Sequence, residues 1–147
     1  MAKFVFKLQS FLNIKEKIEE QKRTEYGKAV SNLENEKLAL QKIFENKNKT
    51  ITSMQENINL NVNSITLKNF NDYLIFLDKE AIRQKKVIEE EKVKVEQARL
   101  ELVEAIKQKK TIETLKEKHK EEYLKEELKK EQQIIDEIVS FKYNIQS

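Results

Sequence analysis

Apolar residues recur along the first sixty positions at Leu8, Phe11, Leu12, Ile18, Tyr26, Ala29, Leu33, Leu40, Ile43, Ile51, Met54 and Ile58, mostly at steps of three, four or seven. That spacing gathers them on one narrow stripe of a helix. From Tyr26 through Ala29, Leu33, Glu36, Leu40 and Ile43 the steps alternate three and four, the heptad of a coiled coil. The jump from Ile18 to Tyr26 breaks the alternation and predicts a local stutter. Gly27 lies beside it and reads as a glycine tolerated where two helices approach closely.

The pattern changes between Asn57 and Asn71, where Asn57, Asn59, Asn61, Asn63, Asn69 and Asn71 gather with Ser64 and Thr66. Their short polar side chains compete for backbone hydrogen bonds and favour caps and turns. A second stripe then opens with Leu67, Phe70, Tyr73, Leu74 and Leu77. It runs in heptads through Ala81, Gln84, Ile88, Glu91, Val95, Ala98, Leu102, Ala105, Lys109 and Ile112. The predicted elements are a helix over about 7–60, a turn over about 61–65 and a helix over about 66–143, with Ser64 or Thr66 as the cap. Phe4 and Phe6 alternate at period two, which suits an extended lead packed beside Leu115 or joined to a partner contact.

Two stripes joined by a short turn satisfy each other most simply by folding back, so the predicted fold is all-α, two long helices in an antiparallel coiled-coil hairpin. A continuous parallel dimer would have to carry the Asn-rich break through its middle. The hairpin is expected to be one domain over 1–147 and monomeric. Reflection about residue 63 sets Leu33 near Val93 and Leu8 near Lys118. At 1.5 Å per residue the first helix would run roughly 80 Å and the second roughly 115 Å, leaving everything after about His119 without a partner inside the hairpin. That overhang stays amphipathic, with Leu124, Leu128, Ile135, Ile138, Val139 and Phe141 on or near one face. An uncovered apolar stripe implies a partner.

Composition narrows the chemistry. One Gly and no Pro in 147 residues leave little means to build β-hairpins, barrels or phosphate-binding loops. The 29 basic and 26 acidic residues nearly cancel, and apolar residues recur too regularly for a disordered chain. Lys109, Lys110, Lys116, Lys118 and Lys120 alternate with Glu113, Glu117, Glu121 and Glu122, which describes a solvated helix face and not a basic surface for nucleic acid. No apolar run approaches a membrane span or a signal peptide, and Cys is absent, so a reducing, cytoplasmic location is expected. His119 with Glu122 or Glu126 has helical spacing for a metal, but a lone His on a charged helix is ordinarily solvated. No catalytic residue, cofactor or metal site is expected.

Several short runs carry a resemblance. The opening Phe4-x-Phe6-x-Leu8-Gln9-x-x-Leu12-x-x-Lys15, followed by Lys17 and Glu19-Glu20, resembles the start of the FliJ family of flagellar export proteins. Glu25-Tyr26-Gly27-Lys28-Ala29, Tyr73-Leu74-x-x-Leu77, Lys109-Lys110-x-x-Glu113-x-Leu115 and Glu131-Gln132-x-x-Ile135-Asp136-Glu137 are similar to that family in the same order. The resemblance implies a hairpin like the central stalk of rotary ATP synthases, at the inner face of the membrane at the flagellar base. It implies binding to the hexameric flagellar export ATPase, the cytoplasmic domain of the export gate FlhA and export chaperones, with no ATP hydrolysis by the chain itself. The family's gate-binding face lies on helix two, where this chain has Tyr73, Leu77 and Gln84. The element expected to enter the ATPase ring is the tail with the lead beside it: Phe4, Phe6, Leu124, Leu128, Ile135, Ile138 and Phe141. A generic coiled-coil scaffold and a helical export chaperone are the alternatives, the first expecting a uniform heptad without an overhang and the second exposed apolar residues at both tips.

Overall fold

The computed structural model describes residues 3–61 and 63–146. They form two helices, α1 (Gln9–Asn59) and α2 (Ser64–Gln146), with no strand among the described residues. Both helices are a little displaced from the predicted bounds, and the turn is shorter. α1 stops because Asn61 takes a left-handed backbone, φ 58°, a conformation that Asn tolerates better than other residues bearing a Cβ. The Leu60 amide donates to the carbonyls of Glu56 and Asn57, each at 3.2 Å, and the Asn61 amide to that of Ile58, which closes the last turn.

α2 begins on a different cap from the one predicted. The Asn63 side-chain oxygen accepts from the Ile65 amide at 2.6 Å and the Thr66 amide at 3.4 Å, so Asn63 and not Ser64 or Thr66 satisfies the first free donors.

The chain divides into a turn unit, residues 22–102, and a terminal unit, residues 3–21 with 103–146. In the turn unit the two helices run antiparallel, and the cross-helix pairs fix the register. Lys47 Nζ meets Asp78 at 2.7 Å, the Gln84 amide donates to the Glu36 carbonyl at 2.9 Å, and Lys22 Nζ meets Glu101 at 3.3 Å. These pairs reflect about a point near residue 61, one to two residues before the expected centre. Val93 therefore does not face Leu33: it is 70% exposed on the outer side of α2, and Glu91 takes the seam position. Leu77, Ala81 and Ile88 are the buried apolar members, with Gln84 buried among them.

The predicted stutter is absent. Leu12, Lys15, Glu19, Lys22, Tyr26 and Ala29 are all buried or half-buried, and their steps alternate three and four without a break. Two charged residues, Glu19 and Lys22, occupy seam positions where an apolar count sees a gap. Gly27 is exposed, and a Cβ built on it would meet nothing within 4 Å. It therefore marks no close approach of helices.

In the terminal unit the first turns of α1 pack on α2 between Ala105 and Lys116, with Leu12 and Ala105 buried. Lys15 Nζ donates to Gln108 at 2.8 Å, Lys116 Nζ to Gln9 at 2.7 Å, and Lys109 pairs with Glu19. Residues 3–6 are not helical, as their period of two predicted. An extended segment advances about 3.3 Å per residue against 1.5 Å for a helix, so the lead reaches further along α2 than the helical register would carry it. Phe6 lies edge-on to His119 with ring centroids 5.8 Å apart, and Phe4 lies 5.5 Å from Tyr123. Coverage of α2 thus extends to Tyr123, beyond the expected limit at His119, and the lead packs past Leu115.

Candidate partner-binding surfaces

On the turn unit, the three residues expected at the gate-binding face separate by burial. Leu77 is 4% exposed and Gln84 5%, both in the seam, whereas Tyr73 is 43% exposed. Gln84 is held by Glu36, whose backbone carbonyl and carboxylate both accept from its amide nitrogen. Tyr73 instead stacks on Phe76, centroids 6.1 Å apart at 21°, and Phe76 is itself exposed. The surface these elements present is an aromatic pair on the outside of α2, with Leu77 and Gln84 anchoring the turn behind it. Phe76 escaped the sequence reading because it stands outside the heptad.

The terminal unit carries the lead and the tail. Phe6 is 6% exposed, so its ring is packed between the lead and α2. Beside it runs a shallow groove lined by Leu8, His119, Glu122, Tyr123 and Glu126. His119 thus takes part in an edge-to-face aromatic contact. Among the described residues no group of three or more His, Asp or Glu side chains is placed to hold a metal ion.

Leu124, Leu128, Ile135, Ile138 and Phe141 are all exposed on the tail, and so are Ile134, Val139 and Ile145. These residues do not continue the hairpin seam. The seam's heptad, carried through Lys109, Ile112, Lys116, His119 and Tyr123, would next fall on Glu126, Lys130, Gln133, Glu137 and Ser140, all polar. The apolar positions move to Leu124, Leu128, Ile135, Ile138 and Ile145, about 140° around the helix from His119 and Tyr123 at the start of the tail. Even a longer α1 lying along the seam would leave this stripe uncovered.

Electrostatics follow the seam. The Glu19 carboxylate hydrogen-bonded to Lys109 holds that ammonium above its ordinary value. The Gln97 amide and then the Lys22 ammonium hold the Glu101 carboxyl below its own. Outside the seam, Arg83 pairs with Glu80 at 2.9 Å and Arg99 with Glu96 at 2.7 Å within single turns of α2. Among the described residues no helix is long and apolar enough to cross a membrane.

Comparison with known proteins places the hairpin. No curated protein matches the chain at a significant level. A solved structure described as that of a YscO homolog from Chlamydia trachomatis is similar over 97% of either chain, at 20% identity and a TM-score of 0.48. The family described as Flagellar FliJ protein matches residues 4–147, taking in the lead, both helices and the tail. On that match the chain belongs to the FliJ family and is a flagellar, export-associated protein.

Proposed function

We propose that the protein is a non-enzymatic coupling stalk of the flagellar export apparatus, whose tail enters the ring of the export ATPase and promotes its assembly. The observation that carries this reading is the tail stripe: several large apolar side chains on α2, exposed and out of phase with the hairpin's own seam. At about 25 cal/mol per Å², such side chains gain only by finding a surface outside the chain. Lys125, Lys129, Lys130, Glu131, Asp136 and Glu137 keep the tail soluble alone and offer exchangeable charge pairs to the wall of a pore. The lead, fixed on α2 by Phe4 and Phe6, sits at the root of the tail and shapes its approach to the ring.

The turn unit supplies the contact to the cytoplasmic domain of FlhA. Tyr73 is the directly available member, joined by Phe76, while Leu77 and Gln84 hold the helix that presents them. Export chaperones are further partners, and the location is cytoplasmic, at the inner face of the membrane at the flagellar base. Deletion of residues 124–147 tests the ring contact. The truncated protein should melt as cooperatively as the full chain yet no longer stimulate ATPase hexamer assembly. Full stimulation by the truncated protein would show that the tail is not the shaft.

A further inference from the structure

The tail stripe has a heptad of its own. Leu124, Leu128, Glu131, Ile135, Ile138, Lys142 and Ile145 follow one another at steps of four, three, four, three, four and three. That alternation is the signature of a helix packed lengthwise against another helix by knobs into holes. A lining of small pore loops requires no such period. Five of the seven positions are apolar and two are charged, and the two charges have opposite sign.

We infer that the stripe pairs with the tail of a second copy of this chain, antiparallel, about a two-fold axis between Asp136 and Glu137. In such an antiparallel pair each stripe residue from Leu128 to Ile145 meets the one reflected through the axis, and Leu124 lies beyond the paired stretch. Leu128 then faces Ile145 and Ile135 faces Ile138, both of these layers apolar against apolar. Glu131 faces Lys142, so the two charged members neutralise each other, once on either side of the axis. Ile134 and Phe141 flank the stripe on the same edge, where antiparallel helices bring like edges together, and they meet each other. A parallel pair in register fails this test, because it sets Glu131 on Glu131 and Lys142 on Lys142 inside an apolar seam. The contact is self-complementary, as a two-fold interface must be.

The extent of the pair sets its strength. Residues 128–145 cover about 26 Å of helix, which corresponds to a total buried area on the order of 1,000 Å², at the lower end of specific interfaces. The pair is therefore weak and reversible, and it covers the stripe only while nothing else does. Pairing and ring entry use the same side chains and exclude each other, but the pairing rests on the tail's own pattern and stands whether or not the ring reading holds.

The chain has no Cys, so single cysteines report on the geometry directly. Full-length Leu128→Cys and Ile145→Cys proteins, oxidised separately, should stay uncross-linked, because each residue lies far from its own copy. Mixed together they should give a disulfide-linked dimer. Cross-linking of each variant alone would mean parallel pairing, and absence of a cross-link in the mixture would mean no tail pair; either overturns the inference. Sedimentation of the cysteine-free protein supplies the second arm. The wild type should shift from monomer toward dimer as concentration rises, Glu131→Lys should stay monomeric with unchanged helicity, and Glu131→Lys with Lys142→Glu should recover the dimer. A wild type that remains monomeric up to its solubility limit overturns the proposal and leaves the stripe to a helix of another protein.

Discussion

At Asn61 and Asn63 two asparagines in one short turn do different work, one in the backbone and one in the side chain. Asn61 holds φ at 58°, which a β-branched residue resists, so Asn61→Val should cost about 1–2 kcal/mol of hairpin stability, measured by urea unfolding. Asn63→Ala should cost about 1 kcal/mol by removing the acceptor for the Ile65 and Thr66 amides, whereas Ser64→Ala should change little. Gly27 offers the opposite sign. It sits within α1 with open space where a Cβ would stand, so Gly27→Ala should stabilise the protein by up to about 1 kcal/mol, read as a higher melting temperature. The break itself was legible from its asparagines. Which of them caps α2 was not, since Asn63, Ser64 and Thr66 all carry a side-chain acceptor and only the path of the backbone selects among them.

At the scale of the helices, the heptad explains why the α2 seam was readable and that of α1 only in part. Ala81, Ile88, Ala98, Leu102 and Ala105 announce their positions by being apolar, and all prove buried or half-buried. Glu19 and Lys22 hide theirs, because a charged residue in a coiled-coil seam cannot be distinguished from a solvated one until its partner on the other helix is known. Glu19 is satisfied by Lys109 within the terminal unit, and Lys22 by Glu101 and Glu25 within the turn unit. The pH dependence follows from these pairs. Glu101 is held below its ordinary value of 4.5 by the Gln97 amide and then by Lys22, so its contribution is present above that value and is lost as pH falls through the lower, folded value. Lys109 is held above its ordinary value of 10.5, so its contribution is present below that value and is lost as pH rises through the higher one. Melting followed by circular dichroism should therefore show stability falling at both extremes. Lys22→Met should reduce the acid loss, and Glu19→Gln should reduce the alkaline loss. Acid and alkaline profiles unchanged by these substitutions would remove the seam pairs from the account of stability.

Taken over the whole chain, the buried seam and the exposed apolar stripe of the tail fall on different faces of α2. The side chains that hold the fold lie where α2 meets α1 or the lead, whereas the tail stripe is exposed. Substitutions should separate the two. Ile88 is 7% exposed in the turn-unit seam, and Ile88→Ala should cost about 2–4 kcal/mol and lower the melting temperature clearly. Ile135 and Ile138 are 52% and 51% exposed, so Ile135→Lys with Ile138→Lys should stay within about 0.5 kcal/mol of the wild type. The sequence reading marked this tail as unpaired from the unequal helix lengths alone, but it placed the apolar residues loosely on one face. The change of phase after Tyr123 became visible only once the seam register was fixed by the contacts of Phe4 and Phe6 with Tyr123 and His119. That change makes the double Lys variant a strict test: a protein that melts like the wild type but neither stimulates the export ATPase nor pairs with its own copy would assign both interactions to the stripe. A variant that melts early would instead show that the tail packs on its own hairpin, and retained stimulation would move the ring contact off the apolar stripe and onto the charged face of the tail.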